Sequence, residues 1–378
     1  MYKEAIRPVW AEINLANLDY NIKSIREKIG PAPAIIGIVK ADGYGHGAFE
    51  VVQTLKNNGV KSFGVATLQE AVTLREQGVD DEIITLGLTP DFYKSVTVEY
   101  GLTPVVCSYQ NALAISDEAG KYGKTINGLI AIDTGMGRIG FPDSDPDAAP
   151  EIGKISELPN FKIKGLISHF STSDEADKTY ATEQGKRFLA FQDKLTSAGI
   201  SINFRTFANS GAIMQFPSSY YDAVRPGIIL YGCYPCDESD RTQISLKQVM
   251  SVKANIVLLK KVPPGTSISY GRHFTTERDS LIATISLGYA DGYPRPLSGK
   301  AKVIVGGRFA KIAGNICMDQ CMIDVTDVPS VKPGDEVIIT GSDGINTIPI
   351  DEIARETGTI CNEIVCAFGQ RLPKVYIR

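Results

Sequence analysis

The pattern of apolar and polar positions changes near residue 243. Before it, short β-branched apolar runs alternate with stretches in which apolar residues recur every three or four positions. The first pattern is typical of strands buried on both faces, and the second of amphipathic helices. The alternation predicts strands at 34–40, 62–66, 82–87, 102–107, 127–133, 162–169, 203–207 and 222–225, and helices at 13–30, 48–58, 67–77, 109–120, 147–157 and 175–198.

Eight such strands over about 230 residues have the size of a closed parallel barrel, a (β/α)8 TIM-like fold of the α/β class. After residue 243 the pattern predicts strands without long helices, which indicates a second, mostly β domain. We therefore expect a barrel over 13–243 and a β domain formed by 1–12 and 244–378. The β-domain strands are predicted at 250–261, 280–287, 302–306, 315–325 and 334–340, with a helix only at 350–357.

The strand predicted at 34–40 ends in Lys40, and the glycine-rich stretch 41–47 follows it. A lysine that is incompletely solvated has a lowered pKa, and its neutral amine condenses with aldehydes. The glycines let the loop approach a bulky ligand, and Tyr44 adds a hydroxyl there. The alternative on these residues alone is a solvated lysine at a strand end, followed by a flexible turn.

Other unusual polar residues also follow the ends of predicted strands. In a parallel barrel these ends lie at one rim, where reactive groups gather, and the loops after strands seven and eight commonly bind phosphate. The residues that the pattern places at this rim are Lys40, Arg138, His169, Asn209, Ser210, Arg225 and Gly227.

Composition narrows the function classes. A net charge of −4 without a Lys/Arg run argues against nucleic acid or an anionic membrane surface as the partner. We expect no signal peptide, because no apolar core follows the first residues. We also expect no membrane segment, because no run approaches the roughly 18 apolar residues of a spanning helix. The seven cysteines are scattered like the thiols of a cytoplasmic protein. Cys233 and Cys236 have the spacing of a metal pair, but without a second pair or a nearby histidine we expect packing and no metal.

The stretch Val39-Lys-Ala-Asp-Gly-Tyr-Gly-His-Gly47 resembles the pyridoxal-phosphate lysine motif of the alanine racemase family. Further matches follow in the same order along the whole chain: Asp133-Thr-Gly-Met-Gly-Arg138, His169-Phe, Ala208-Asn-Ser210, Arg225-Pro-Gly227-Ile228, Ser269-Tyr-Gly271, Gly288-Tyr-Ala-Asp-Gly292 and Ile316-Cys-Met-Asp-Gln320. The resemblance implies a pyridoxal 5′-phosphate (PLP) racemase of small amino acids. It also implies a barrel with a C-terminal β domain and a head-to-tail homodimer with shared active sites.

The resemblance also implies roles for individual residues. Racemisation needs a base on each face of the substrate, and these would be Lys40 and Tyr270 of the partner subunit. Cofactor binding would involve Lys40, Tyr44, Arg138, His169, Asn209, Ser210, Arg225, Gly227 and Ile228, and substrate binding Arg138, Met318, Asn362, Tyr289 and Asp319. A core role for His169, and purely structural roles for Tyr289 and Asp319, stay open.

Two positions depart from the family pattern. Ala131 stands where many members carry a carbamylated lysine that supports the arginine, and we expect chloride or water to replace it beside Arg138. Asn362 stands where the family usually has a tyrosine, which resembles the serine racemase domains of vancomycin resistance. That resemblance predicts serine and alanine racemisation, and a chain that is the cytoplasmic part of a longer membrane-anchored protein. The alternative is a housekeeping alanine racemase, and a PLP decarboxylase or a non-catalytic cofactor carrier are further rivals.

Overall fold

The computed structural model describes residues 7–236 and 238–378. The first described strand, β1 (Val9–Asn14), leads directly into helix α1 (Leu15–Ile29). Asn14 is the N-cap of α1, and its side chain accepts a hydrogen bond from the backbone N–H of Asn17 at 3.0 Å. The apolar positions of α1 recur every three or four residues, and this face is buried against the barrel.

Eight parallel strands close into a barrel, which confirms the predicted fold. The ring runs β5-β4-β3-β2-β10-β9-β8-β6, and β6 pairs back onto β5. The short strand β7 (Phe141–Pro142) lies beside β6. The barrel strands are β2 (Ala34–Ile38), β3 (Ser62–Val65), β4 (Glu82–Thr85), β5 (Thr103–Val106), β6 (Ile126–Asp133), β8 (Phe161–Ile167), β9 (Arg205–Thr206) and β10 (Ala223–Val224).

Helices connect successive barrel strands and bury their apolar faces against the barrel core. Two of them, α4 and α8, lie in segments to which the sequence pattern assigned no helix. After α1, the helices of this domain are α2 (Ala48–Asn57), α3 (Leu68–Glu76), α4 (Lys94–Glu99), α5 (Tyr109–Lys121), α6 (Ala148–Ser156), α7 (Thr179–Ser197) and α8 (Ser210–Gln215).

The second domain is built on a nine-stranded, largely antiparallel sheet. Its order is β19-β18-β15-β16-β17-β14-β11-β1-β20, so the N-terminal strand β1 lies between β11 and the C-terminal strand β20. Strands β12 and β13 form a separate hairpin. The strands are β11 (Met250–Val262), β12 (Ser267–Ile268), β13 (Phe274–Thr275), β14 (Ser280–Ile285), β15 (Lys302–Val305), β16 (Arg308–Ile312), β17 (Cys321–Asp324), β18 (Glu336–Ser342), β19 (Thr347–Ile348) and β20 (Lys374–Ile377).

Two predictions for the β domain were wrong. The strand expected over 315–325 is a strand only at β17, because residues before it form a loop. The helix α9 (Ile350–Thr357) is followed by a second helix, α10 (Cys361–Phe368), although only 350–357 was expected to be helical. The buried positions of α10 are Cys361, Ile364, Val365 and Phe368, which is a helical spacing on a segment of only eight residues.

A search of the described residues for membrane-spanning segments finds no helix that is both long enough and apolar enough. The large apolar core instead extends from the barrel into the β domain, and it includes residues of α9 and α10.

Candidate active site

A cavity of about 470 Å³ opens at the carboxyl ends of the barrel strands. The ends of parallel strands meet at one rim, so residues far apart in the sequence come together there. Ten of the predicted site residues line this cavity: Lys40, Tyr44, Arg138, His169, Asn209, Ser210, Arg225, Gly227, Ile228 and Asn362.

Lys40 lies just beyond the barrel strand, not within it. The strand expected over 34–40 ends at Ile38, because the backbone turns after Val39 into left-handed conformations. Ala41 and Asp42 have φ values of 52° and 53°. Burial, and next the positive charge of Arg138, lowers the pKa of the Lys40 amine. The amine is therefore shifted toward the neutral form that reacts with an aldehyde.

Tyr44, Ser210 and Gly227 form a small polar cradle at one side of the cavity. The backbone N–H of Gly227 donates to Ser210 Oγ at 2.9 Å. A Cβ atom at Gly227 would lie 2.7 Å from Tyr44 Oη, so only glycine allows this approach. Burial raises the pKa of the Tyr44 phenol, which keeps the hydroxyl protonated as a donor. Because Ser210 Oγ accepts from Gly227, its own O–H is left to donate, and two hydroxyl donors beside a glycine backbone suit a phosphate group.

Asn209 anchors the short helix that carries Ser210. Its side-chain oxygen accepts from the backbone N–H of Ala212 at 3.0 Å and from the hydroxyl of Ser173 at 2.7 Å. Asn209 is thus the N-cap of α8, and it fixes the orientation of the Ser210 side chain toward the cradle.

The partly exposed His169 contacts the buried Arg225 on the cavity wall. Arg225 Nη2 lies 3.2 Å from His169 Nδ1, and Nη1 donates to Thr206 Oγ1 at 2.8 Å. A guanidinium only donates, so His169 Nδ1 accepts and its proton lies on Nε2. Burial, and next the charge of Arg225, lowers the pKa of His169 well below its ordinary value. His169 is therefore a neutral imidazole with one remaining donor.

Arg225 stays a donor although it is fully desolvated. Burial, and next the charge of Arg138, lowers its pKa to about 9. Arg138 itself is exposed at the cavity mouth, and Ala131 is a buried residue of the cavity wall. The guanidinium groups of Arg138 and Arg225 give the cavity positive charge that suits an anionic cofactor and a substrate carboxylate.

The other four predicted residues lie in the β domain and are not part of the lining of this cavity. The backbone around Tyr289 pairs with that around Met318, since the N–H of Tyr289 donates to the Cys317 carbonyl and the N–H of Ala290 to the Met318 carbonyl, both at 3.0 Å. Asp319 accepts from Arg371 at 2.7 Å. Tyr270, the predicted second base, is 72% exposed, and Met318 is 54% exposed. The structure therefore leaves the predicted second base outside the cavity of its own chain.

Several lining residues were missed by the sequence reasoning. They include Ala66, Leu86, Met136, Asp174, Pro235 and Ile360. Ala66 and Leu86 directly follow strands β3 and β4, so the rim rule that selected Lys40 could have found them. Pro235 and Ile360 are brought to the cavity by tertiary packing. Within the described part of the chain, no three His, Cys, Asp or Glu side chains form a metal site.

Comparison with known proteins places this geometry in a family. The family model "Alanine racemase, N-terminal domain" matches residues 13–235, and "Alanine racemase, C-terminal domain" matches residues 249–376. An alanine racemase of Clostridium kluyveri is 51% identical over 98% of this chain and 95% of its own length. Alanine racemase 1 of Clostridium acetobutylicum is 48% identical over 99% of this chain and 96% of its own length. The solved alanine racemase of Clostridium difficile has a TM-score of 0.93 and 37% identity, and covers 98% of this chain and 96% of its own.

Proposed function

The chain belongs to the alanine racemase family, and from that premise we propose that it interconverts L- and D-alanine as a homodimer and supplies D-alanine for peptidoglycan. It is a PLP enzyme, as the family is. The residues present fit this cofactor, since a lysine of lowered pKa and a donor cradle of phosphate size share one cavity.

The observation that carries the proposal is the position of Lys40 in the same buried cavity as His169 and Arg225. PLP, when bound, withdraws electrons from the α-carbon of the substrate and makes the α-proton acidic. Lys40 has a lowered pKa, so more of its amine is in the neutral form that can accept this proton. Tyr44, Ser210 and the amide of Gly227 would hold the phosphate.

A racemase also needs a base on the opposite face, and we assign this role to Tyr270 of the partner subunit. A free phenol has a pKa near 10 and is a weak base at neutral pH. The neutral His169 has its Nε2–H free to donate, because Nδ1 is occupied by Arg225. A donor to the phenolate form would lower the pKa of the phenol that it contacts.

The exposure of the β-domain residues supports the homodimer. Tyr270 and Met318 are large side chains that are more than half exposed, and neither lines the cavity of its own chain. A second copy that places these residues over the barrel rim would cover them and complete the site.

Alanine is favoured over serine as the substrate. The relatives in the comparison are alanine racemases, and none of them supports the expected likeness to vancomycin-resistance serine racemases. Serine stays a second candidate because of one observation, since Asn362 lines the cavity and has an amide that could hydrogen-bond a hydroxyl.

The test is to incubate the protein and PLP with L-alanine or L-serine in deuterium oxide and to separate the products by chiral chromatography. We expect both enantiomers of α-deuterated alanine. The kcat/KM for alanine should be higher than the kcat/KM for serine. An amine product would indicate a decarboxylase, and unchanged substrate would indicate a cofactor carrier. Faster turnover of serine would restore the serine racemase hypothesis.

A further inference from the structure

We propose that His46 is a positioning residue that holds the turn bearing Lys40 and Tyr44 in its left-handed conformation. The inference rests on the proposed role of Lys40 in cofactor binding. His46 lies inside the glycine-rich motif, and its side chain does not line the cavity.

The backbone after Lys40 is left-handed for several successive residues. The φ angles are 52° at Ala41, 53° at Asp42, 61° at Gly43 and 53° at Tyr44. Three of these residues have a Cβ atom, and each L-residue in this region is disfavoured by the contact between Cβ and the backbone. A run of such conformations persists only where the surrounding structure holds it.

His46 supplies a contact on the buried side of this turn. Its Nδ1 lies 3.0 Å from the carbonyl oxygen of Gly43 and 2.9 Å from that of Tyr44. Carbonyl oxygens only accept, so Nδ1 must carry the proton. Nε2 is buried without a hydrogen-bond partner, and burial lowers the pKa of His46 to about 4. The imidazole is therefore neutral and of one tautomer.

Tyr231 extends this contact to the other side of Lys40. Its ring lies 4.5 Å from the His46 ring and 4.9 Å from the Tyr44 ring. Its hydroxyl donates to the carbonyl of Ile38, the last residue of β2, at 2.9 Å. His46 and Tyr231 thus tie the segment after Lys40 to the strand before it.

The outer side of the turn is held by charged groups. Glu70 accepts from the N–H of Ala41 at 2.7 Å, and Asp42 accepts from the N–H of Ala48 at 2.8 Å. Asp42 also pairs with Lys374 at 2.9 Å. These groups are partly exposed, whereas His46 is fully buried and is the donor that satisfies two carbonyls there. The Gly43 carbonyl also accepts from the backbone N–H of His46 at 3.1 Å, so loss of the side-chain donor would be felt mainly at the Tyr44 carbonyl.

The consequence should appear in cofactor retention. If the turn relaxes, a smaller fraction of the molecules has Lys40 and Tyr44 in the arrangement that holds PLP. The apparent affinity for PLP falls in proportion to this fraction. The damage would be local, because the barrel strands do not depend on the turn for their pairing.

The experiment measures how fast the holoenzyme releases PLP after dilution, from the loss of the bound-cofactor absorption. His46→Leu removes the donor, and we expect release to be at least about tenfold faster. His46→Asn keeps an N–H near the Nδ1 position and should restore most of the retention. Ile152→Ala, a fully buried residue of α6 outside the cavity, should lower the melting temperature without faster release.

The proposal would be overturned if His46→Leu released PLP as slowly as the wild type. It would also be overturned if His46→Asn released PLP as fast as His46→Leu. If His46→Leu does not fold, Tyr231→Phe provides a second test, since it removes the bond to Ile38 and keeps the rings. Faster release by Tyr231→Phe would support the proposal, and wild-type release would overturn it.

The protonation of His46 is testable separately. The chain has three histidines, so ¹⁵N-labelled histidine gives three ring signals, and His46→Asn identifies one of them. We expect a neutral ring protonated at Nδ1 between pH 5.5 and 8, and an Nε2-protonated or charged ring would overturn the proposal. Borohydride reduction and peptide mapping of the wild type show which lysine carries PLP. A lysine other than Lys40 would refute the proposed function, independently of the His46 results.

Discussion

At the scale of single residues, two histidines, the buried His46 and the partly exposed His169, are kept neutral by their surroundings. His46 is surrounded by backbone carbonyls and the Tyr231 ring, and His169 lies against Arg225. Burial is the largest cause of the lowered pKa in both. Their neighbours fix opposite tautomers, because carbonyls require a proton on Nδ1 whereas a guanidinium requires a bare Nδ1.

These histidines should make the free energy of unfolding depend on pH. Between pH 6.5 and the lowered native pKa, the unfolded chain binds a proton that the native state does not, so stability rises with pH in this window and falls on acidification. For His46 the window runs from 6.5 to about 4. His46 should contribute a loss of about 2 kcal/mol between pH 7 and pH 5, and His169 should contribute a loss of the same sign.

Urea unfolding at pH 5, 6 and 7 measures this loss. The free energy of unfolding of His46→Asn should differ less between pH 7 and pH 5 than that of the wild type, because one of the two histidine contributions is removed. Most carboxylates titrate below this range, so they disturb the comparison little. An unchanged pH dependence in the variant would show that His46 does not titrate in this way.

Lys40 is predicted to be the attachment point of the cofactor. Lys40→Ala should lose the visible absorption of the bound cofactor and all but a trace of the racemase activity, since no amine remains at the end of β2 to react with the aldehyde. Lys121→Ala, on the exposed side of α5, is the matched control and should retain both. A colourless wild type, or a coloured and active Lys40→Ala, would contradict the assignment.

At the scale of elements, helix α10 links the two domains at the active site. Its C-terminal end meets the Lys40 turn through glycine backbone, since a Cβ at Gly369 would lie 2.2 Å from Gly45 Cα. A Cβ at Gly292 would lie 2.4 Å from the backbone of Ala367, so the helix is also in contact with the segment after Tyr289. The first turn of the same helix places Asn362 in the cavity wall.

Gly369→Ala should therefore push α10 away from the Lys40 turn. Overpacking against backbone typically costs about 1–3 kcal/mol, and here the displaced elements carry both Lys40 and Asn362. We expect a lower melting temperature together with weaker PLP retention. Gly185→Ala is the control, because that residue is in helix α7 with open space around it and should be neutral or stabilising. If Gly369→Ala retained PLP as well as the wild type, the contact between residue 369 and Gly45 could relax without disturbing the site.

Substrate choice also belongs to α10. A pocket that hydrogen-bonds a hydroxyl can favour serine strongly, whereas a bulky or apolar pocket separates serine from alanine only weakly. Asn362→Tyr should fill the space and remove the amide, so the ratio of serine to alanine kcat/KM should fall about tenfold, or about 1.4 kcal/mol. Steady-state kinetics on L-serine and L-alanine in both proteins measure this ratio. An unchanged ratio would show that Asn362 does not select the substrate.

At the scale of the whole molecule, the proposed second base, Tyr270, lies outside the cavity that contains Lys40. Lys40 lies in the barrel cavity, and Tyr270 lies on an exposed turn of the β domain that is not part of the cavity wall. The backbone of this turn is held in place, because Asn315 donates to the Tyr270 carbonyl at 2.8 Å and Ser269 has a φ of 67°. An exposed phenol on an anchored backbone turn is what a site shared between two copies would need.

Mixing two inactive variants tests this sharing. Lys40→Ala and Tyr270→Phe subunits should form hybrid dimers in which one of the two sites has both bases. Random exchange makes about half of the dimers hybrid, so activity should return to roughly a quarter of that of the wild type. Subunit exchange is verified with a tagged copy of one variant, and no rescue despite exchange would place both bases in one chain.

The sequence alone determined the architecture and most of the barrel site. Its apolar periodicity predicted the eight barrel strands, because strands buried on both faces are continuous apolar runs that differ from amphipathic helices. The rule that reactive residues follow these strands selected Lys40, His169 and Arg225, which line one cavity in the structure. Such residues are predictable because the strand order of a parallel barrel fixes which ends meet.

The conformation after Lys40, the helix α10 and the neutral histidines depend on tertiary packing, which the apolar pattern of the sequence does not reveal. Left-handed backbone at Ala41 and Asp42 is held by Glu70, Asp42 and His46, and periodicity carries no signal for such contacts. Helix α10 is only eight residues long, and it is stabilised by packing against Gly45 and Gly292 more than by its own propensity. The lowered pKa values of His46 and His169 arise from burial, and burial exists only once distant segments of the chain have packed together.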